Sequence, residues 1–242
     1  MNQWNPRTFL GQLAEDTRGK FLTLGHPRRY APDEVLARMG DRTTQVFVLL
    51  SGRVRVTAEN EDGKVALLGI RIEGDLVGEL SSLDNEPRSA TISAAREPVD
   101  TRVIPQAEFR AFLDEHAEVA LVITRSIGAK LRWATRRHID FHQPVPVRLA
   151  RVLYELAQHY GTRNGNGRRG TITLEPLTQP DLAAFVAAAE PSTQKAFAEL
   201  RRHALIETGY RSVTIRDIDG LREFARLSTE TGRGVGIADL RA

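Results

Sequence analysis

The feature that most restricts the fold is a change in hydrophobic period near Gln106. Before it, apolar residues come in short runs or alternate with period two. Val46-Phe47-Val48-Leu49-Leu50 is an apolar run closed by Ser51-Gly52, and Arg53 to Thr57 alternates. Asn60-Glu61-Asp62-Gly63 supplies turn chemistry before Val65 to Ile72, and Thr91–Ala94 and Thr101–Ile104 complete the set. Short strands with such turns every ~8–12 residues predict an antiparallel barrel or sandwich. After Gln106, Val119, Ile123, Ile127 and Leu131 lie four apart, on one side of a helix. From Ile127, the positions Ile127, Leu131, Ala134, His138 and Phe141 step by four and three, a heptad-like seam. Arg125, Lys130, Arg132, Arg136 and Arg137 form a basic, solvated opposite face. A dimer helix is the favoured reading; a seam packed on its own barrel is the other.

Pro144 and Pro146 end this helix, because proline disfavours helical geometry in the residue before it. A second helix runs from Val147 to about Tyr160, and residues 161–170 read as a flexible basic loop. Thr171–Leu174 is a short strand. Thr178 is a good N-cap with Asp181 at the third helical position, so Asp181 to Ala188 reads as a short helix. Pro191 fits a first turn, so a new helix begins around Glu190 and runs to about His203. Leu205 to Ile215 reads as a hairpin. Two short helices at a tight turn followed by a hairpin make a winged helix-turn-helix pattern. The tail after Ala225 is polar and loosely held.

Several classes drop out. The chain has no cysteine, which excludes disulfides, thiolate zinc sites, iron–sulfur clusters and cysteine nucleophiles. No apolar run approaches the ~20 residues of a membrane span, and the N-terminus shows no signal peptide, so a cytoplasmic protein is expected. Gly165 to Gly170 matches the glycine pattern of dinucleotide sites, but it follows a helix and opens a strand, the reverse of what a pyrophosphate needs. His138 and His142 lack a third ligand, and no metal site is expected. No catalytic motif is present, and an enzyme is not expected. Charge is uneven: residues 1–124 are net −4, 125–143 net +4 and 144–242 net +3. A polyanion partner for the basic half is one reading, ordinary two-domain asymmetry the other.

Two segments carry candidate chemistry. Gly78-Glu79-Leu80-Ser81-Ser82-Leu83-Asp84-Asn85-Glu86-Pro87-Arg88-Ser89-Ala90 lies just before a strand. A carboxylate accepts from ribose hydroxyls, a guanidinium grips phosphate, and Ser adds a donor. A Glu79–Arg88 pair on a plain loop is the equal alternative. The second segment is the expected recognition helix, where Ser192, Thr193 and Lys195 come early and Arg201 and Arg202 later. Residues 171–217 hold 5 basic and 6 acidic residues, so affinity for DNA would rely on that helix face, the linker arginines and dimerisation.

The order of parts, with GELSSLDNEPRSA in a barrel, a long helix and LTQPDLAAFVAAAEPSTQKAFAELRRHALIETG, resembles the CRP/FNR family of bacterial transcription regulators over roughly Phe21 to Phe224. The resemblance implies an α+β chain: a cyclic-nucleotide-binding β-roll of jelly-roll type over 1–115, a dimerisation helix over 116–143 and a winged helix-turn-helix over 144–242. It implies a cyclic nucleotide, cAMP first and cGMP second, with no metal or iron–sulfur cluster. Gly78, Glu79 and Leu80 match the ribose end, Arg88, Ser89 and Ala90 the cyclic-phosphate grip, and Lys130, Ala134 and Thr135 the positions facing the base. Ala134 stands where the cAMP-responsive branch has threonine. For DNA, the resemblance points to Thr178, Gln179, Glu190, Ser192, Thr193, Lys195 and Arg201. Ala187 replaces the usual turn glycine, and Ala189-Glu190-Pro191 the usual serine–arginine–glutamate run. The implied function is a homodimeric, ligand-controlled regulator of double-stranded DNA, with RNA polymerase a further partner. Two alternatives stay open: a ligand-binding or protein-interaction module without specific DNA reading, and a ligand-independent regulator with a vestigial pocket.

Overall fold

The computed structural model describes residues 4–63, 65–164, 170–175 and 177–227. Residues 165–169 of the glycine-rich loop and the tail from 228 onward lie outside them. The chain divides into two compact units, Met1–Ile139 and Asp140–Ala242.

The first unit contains α1 (Phe9–Gln12), α2 (Glu15–Phe21), β1 (His26–Tyr30), β2 (Val35–Ala37), β3 (Val46–Ser51), β4 (Val54–Glu59), β5 (Val65–Arg71), β6 (Leu76–Val77), α3 (Glu79–Asp84), β7 (Thr91–Ala94), β8 (Val99–Ile104), α4 (Gln106–Glu115) and α5 (Ala117–Asp140). Its strands form two antiparallel sheets, ordered β1-β8-β3-β6 and β2-β7-β4-β5. The apolar run of β3 explains the layering. Val46, Phe47, Val48 and Leu49 are all fully buried, and alternate side chains of a strand point to opposite faces. Val46 and Val48 join a core with Phe9, Phe21, Ile104, Phe109, Phe112, Val119 and Ile123 from the helices and β8. Phe47 and Leu49 join a second core between the sheets, with Tyr30, Val54, Val77, Ile92, Ala94 and Val99. Phe21 packs edge-on against Phe9 at 4.9 Å and Phe112 at 5.2 Å, a preferred aromatic geometry.

The second unit contains α6 (Val145–Tyr160), β9 (Thr162–Asn164), β10 (Thr171–Leu174), α7 (Gln179–Phe185), α8 (Glu190–Arg202), β11 (Ile206–Gly209), β12 (Ser212–Ile215) and α9 (Ile218–Phe224). Its sheet is ordered β11-β12-β10-β9 and is antiparallel. Leu149, Leu153, Ile172, Leu174, Leu182, Phe197 and Leu200 are buried in its interior.

The structure departs from the sequence reading at several points. Strands β1 and β2 and helices α1 and α2 precede Phe47, where period two first becomes visible. Helix α3 lies in the segment read as a loop. Thr162–Asn164 is an edge strand rather than part of a flexible loop. Helix α7 starts two residues earlier and ends three earlier than expected. A capping box between Thr178 and Asp181 starts it, and a left-handed residue at Ala187 closes it off. Helix α5 stops at Asp140, so Phe141 lies outside it.

Lys130 also leaves the solvated basic face assigned to it, because it pairs with Glu79. On α5, Ile127 packs on the first unit's own core, whereas Leu121, Leu131 and Ile139 are exposed. Leu121 and Ile139 are 18 residues apart, about five full turns, so they share a face with Gly128 and Thr135. Of the seam expected at Ile127, Leu131, Ala134, His138 and Phe141, Leu131, Ala134, His138 and Phe141 are exposed, so the exposed stripe is broader than that seam and takes in Leu121 and Ile139 as well.

Asp140 ends α5 with a buried carboxylate, an unfavourable place for an anion beside the helix C-terminus. Arg151 of α6, itself mostly buried, pairs with it and also donates through Nε to the Ala225 carbonyl at 2.8 Å. Removing one member of such a pair strands the other, at about 3–5 kcal/mol. Asp140→Ala is expected to lower the urea midpoint of the second unit strongly. The double variant Asp140→Leu/Arg151→Met should recover most of that loss, as followed by circular dichroism.

Candidate functional site

The pocket candidates gather where β6 passes into α3. Gly78 precedes α3 with φ +81°. A Cβ there would lie 2.7 Å from Arg88 Nη1 and 3.3 Å from the Phe47 ring. Glycine is required both for the left-handed backbone and for the space. Glu79 follows as the first residue of α3 and is buried, 4% exposed. Its Oε1 accepts from Lys130 Nζ of α5 at 2.8 Å. The pair ties the long helix to the roll.

Arg88 is 3% exposed. Its Nη1 donates to the Gly78 carbonyl at 2.8 Å, Nη2 to the Gln45 carbonyl at 2.6 Å, and Nε to Thr43 Oγ1 at 3.1 Å. The guanidinium also lies 5.8 Å from the Phe47 ring centroid, close enough for a cation–π contribution. Burial lowers its pKa from the ordinary value, and the charges of Glu79 and Asp41 oppose that shift. Glu79 and Arg88 thus share one locality, yet each has its own partners instead of the mutual pair considered from sequence.

Helix α3 is clamped at its other end. Gln106 Nε2 donates to the Ser82 carbonyl at 2.7 Å, and Arg110 donates to the Ser82 and Leu83 carbonyls at 2.9 Å each. These donors satisfy carbonyls that a helix terminus leaves open. Neither residue was singled out from sequence; their signal is a Gln and an Arg one turn apart in a helix following the roll.

The remaining pocket candidates are spread out. Ala90 is buried, whereas Ser89 and Leu80 are exposed. Thr135 lies about 140° around α5 from Lys130, and its hydroxyl donates to the Leu131 carbonyl at 3.0 Å. It faces the exposed stripe rather than Glu79. Ala134 is about 40° from Lys130 and exposed.

In the second unit, α7, a four-residue turn and α8 form the helix-turn-helix. Ala187 in the turn has φ +47°, a region that costs an L-residue roughly 1–2 kcal/mol. Thr178 is spent on capping: its hydroxyl donates to Asp181 Oδ2 at 2.6 Å and accepts from Asp181 N–H at 3.3 Å. Thr193 is a correction. It is 1% exposed and donates to the Ala189 carbonyl at 3.2 Å, so it belongs to the face that carries Ala196, Phe197 and Leu200. Gln179, Glu190, Ser192, Lys195 and Arg201 are exposed. Arg201 Nη1 donates to Thr208 Oγ1 of β11 at 3.2 Å. Gln194 and Arg202 are exposed on the same helix. Gln194 was missed; its position next to Lys195 and four before Ala198 marks it as surface.

Comparison with known proteins agrees with this architecture. Residues 27–116 match the cyclic nucleotide-binding domain model and residues 147–224 the Crp-like helix-turn-helix domain model. A CRP-like cAMP-activated global transcriptional regulator of Mycobacterium tuberculosis is 29% identical over 188 residues, 77% of this chain and 82% of that protein. The cAMP-activated global transcriptional regulator Vfr of Pseudomonas aeruginosa is 31% identical over 144 residues, 57% of this chain and 67% of that protein. The chain belongs to the CRP/FNR family of transcription regulators. Two solved structures share the fold. A CRP-family transcriptional regulator from Thermus thermophilus has TM-score 0.66 and 24% identity, covering 84% of this chain and 98% of that one. The c-di-GMP-responsive regulator CLP of Xanthomonas campestris has TM-score 0.70 and 19% identity, covering 84% and 99%. This family member is a regulator rather than an enzyme, built as an antiparallel β-roll followed by helices and a helix-turn-helix. Among the described residues, no helix is long and apolar enough to cross a membrane.

The strained turn yields a direct expectation. Ala187→Gly relieves the positive φ and should raise the melting temperature of the second unit, by about 0.5–1 kcal/mol of stability. A lower melting temperature would show that the turn carries no strain.

Proposed function

We propose that this regulator is a homodimer that binds double-stranded DNA through α8 and is controlled by a cyclic purine nucleotide in the roll. The observation that carries the nucleotide reading is the pair of buried charges, Glu79 and Arg88, gathered beside Gly78 at the start of α3. Glu79 would accept from ribose hydroxyls, and Arg88 would turn from carbonyl acceptors to the cyclic phosphate, a stronger, charge-assisted partner. The two relatives named above are described as cAMP-activated, which supports a cyclic nucleotide as effector and cAMP as the first one to test. The exposed stripe of Leu121, Leu131 and Ile139 supports the dimer, since exposed apolar faces of this kind commonly mark an interface. Gly128 and Thr135 on the stripe are small enough for close helix approach.

Control requires that the ligand bind two states with different affinity. The Glu79–Lys130 pair supplies a route, because a ribose hydroxyl on Glu79 competes for the carboxylate that holds α5. A cytoplasmic location and contact with RNA polymerase complete the proposal. On the DNA side, Glu190 heads α8 where an arginine would read guanine. This favours, as a second reading, an altered operator or binding without sequence preference.

Calorimetry with cAMP and cGMP tests the pocket. Micromolar binding is expected, lost in Arg88→Ala and strongly weakened in Arg88→Lys, with folding checked by circular dichroism; unchanged affinity in Arg88→Lys would remove the phosphate assignment. For DNA, Lys195→Ala should weaken binding about equally for all sequences and reduce the salt slope by about 1 per protomer. A change confined to one operator base would instead make Lys195 a base reader.

A further inference from the structure

Strand β5 carries an arginine on the inner face of the roll, beside mostly apolar residues. Arg71 is paired with Val54 across the β4–β5 ladder, and Val54 in turn with Ala94 of β7. Directly opposed residues of antiparallel strands place their side chains on the same face. Val54 and Ala94 are fully buried members of the core between the sheets. Arg71 is therefore directed to the roll interior, at the rim formed by the edge strand β5.

Gly69, two residues earlier on the same face, makes room for it. A Cβ at Gly69 would lie 2.3 Å from Arg71 Nη1 and 3.1 Å from Cζ, so the guanidinium occupies the space of the absent side chain. Arg71 Nη1 donates to the Ile70 carbonyl at 2.9 Å. Among the described residues, its Nε–Nη2 edge has no acceptor and no carboxylate pairs with it. The guanidinium is half-buried at the edge of the sheet, where its stem packs on apolar surface while its head stays open to a ligand. The same core that holds Val54 holds Phe47, on whose ring Arg88 rests. Arg71 and Arg88 thus border one interior.

We propose that Arg71 reads the base of the bound nucleotide and selects guanine over adenine. This rests on the nucleotide reading of the pocket. Glu79 and Arg88 account for sugar and phosphate, and the base is the part left for Arg71. Guanine presents two adjacent acceptors, O6 and N7, which a guanidinium fork meets with two parallel hydrogen bonds. Adenine presents N7 beside an amino donor, which sets donor against donor. Ala134 offers no side-chain acceptor or donor to adenine from α5. The preference inverts the order, cAMP before cGMP, that family resemblance implies.

The test is titration of the full chain with cAMP, cGMP and cyclic di-GMP, using the unaltered protein, Arg71→Ala and Arg71→Lys. The expected result is cGMP bound about tenfold or more tighter than cAMP. Both variants should erase that preference by weakening cGMP about tenfold, because alanine removes the fork and lysine keeps the charge but lacks it. Binding of cAMP as tight as cGMP overturns the proposal and leaves the nucleotide reading standing, as does a cGMP preference that survives Arg71→Ala. Tightest binding of cyclic di-GMP, retained in Arg71→Lys, would assign Arg71 to a second phosphate and also overturn it. No binding of any of the three by folded protein removes the nucleotide reading itself, and the proposal falls with it.

Discussion

A strand with no solvent face needs a layer on each side, and β3 is that strand. Its even and odd residues hold two different cores together, one under α1, α2, α4 and α5 and one between the sheets. The candidate pocket inherits its geometry from the same strand. The Gln45 carbonyl just before β3 and the Phe47 ring within it are partners of Arg88. Strand β6 pairs with β3 and delivers the chain to Gly78. Fixing β3 therefore fixes the acceptor set of the arginine and the entry of α3.

The charged groups of that pocket are not idle without a ligand. Glu79 has Lys130, and Arg88 has two carbonyls and a hydroxyl. Such partners are what makes buried charge tolerable. A ligand entering there exchanges contacts instead of adding them, so its net affinity is a difference between two well-bonded states. Arg71 stands apart because, among the described residues, only its Nη1 has an acceptor, the Ile70 carbonyl.

Much of this was legible in the sequence because it rests on local chemistry. The period change at Gln106, the alternation in β4, the Thr178 cap and Pro191 in the first turn of α8 each act within a few residues. The GELSSLD and EPRSA segments were legible through family resemblance, which carried the pocket assignment further than residue chemistry alone. What stayed hidden depends on distant partners. Strand β1 is exposed along four of its five residues and is held mainly by its backbone pairing with β8, so it has no period to read. Helix α3 is short and capped by side chains from α4. Thr193 looked like a surface residue by type, and the face of α8 is set by packing against its neighbours. Lys130 looked solvated for the same reason. The inward direction of Arg71 follows from a cross-strand register that no linear pattern records.

Helix α5 presents Lys130 on one side and Leu121, Gly128, Thr135 and Ile139 roughly opposite. The carboxylate that grips Lys130 therefore acts at the far side of the shaft from the apolar stripe. A helix turned about its own axis by one tenth of a revolution carries every position on its rim through the same arc, with no stretching and no broken backbone bond. On the proposed function, helix α5 would work as an axle: what seizes or frees it at Lys130 would re-aim the whole stripe at once, and a second copy meshed with that stripe would have to turn with it or lose its fit.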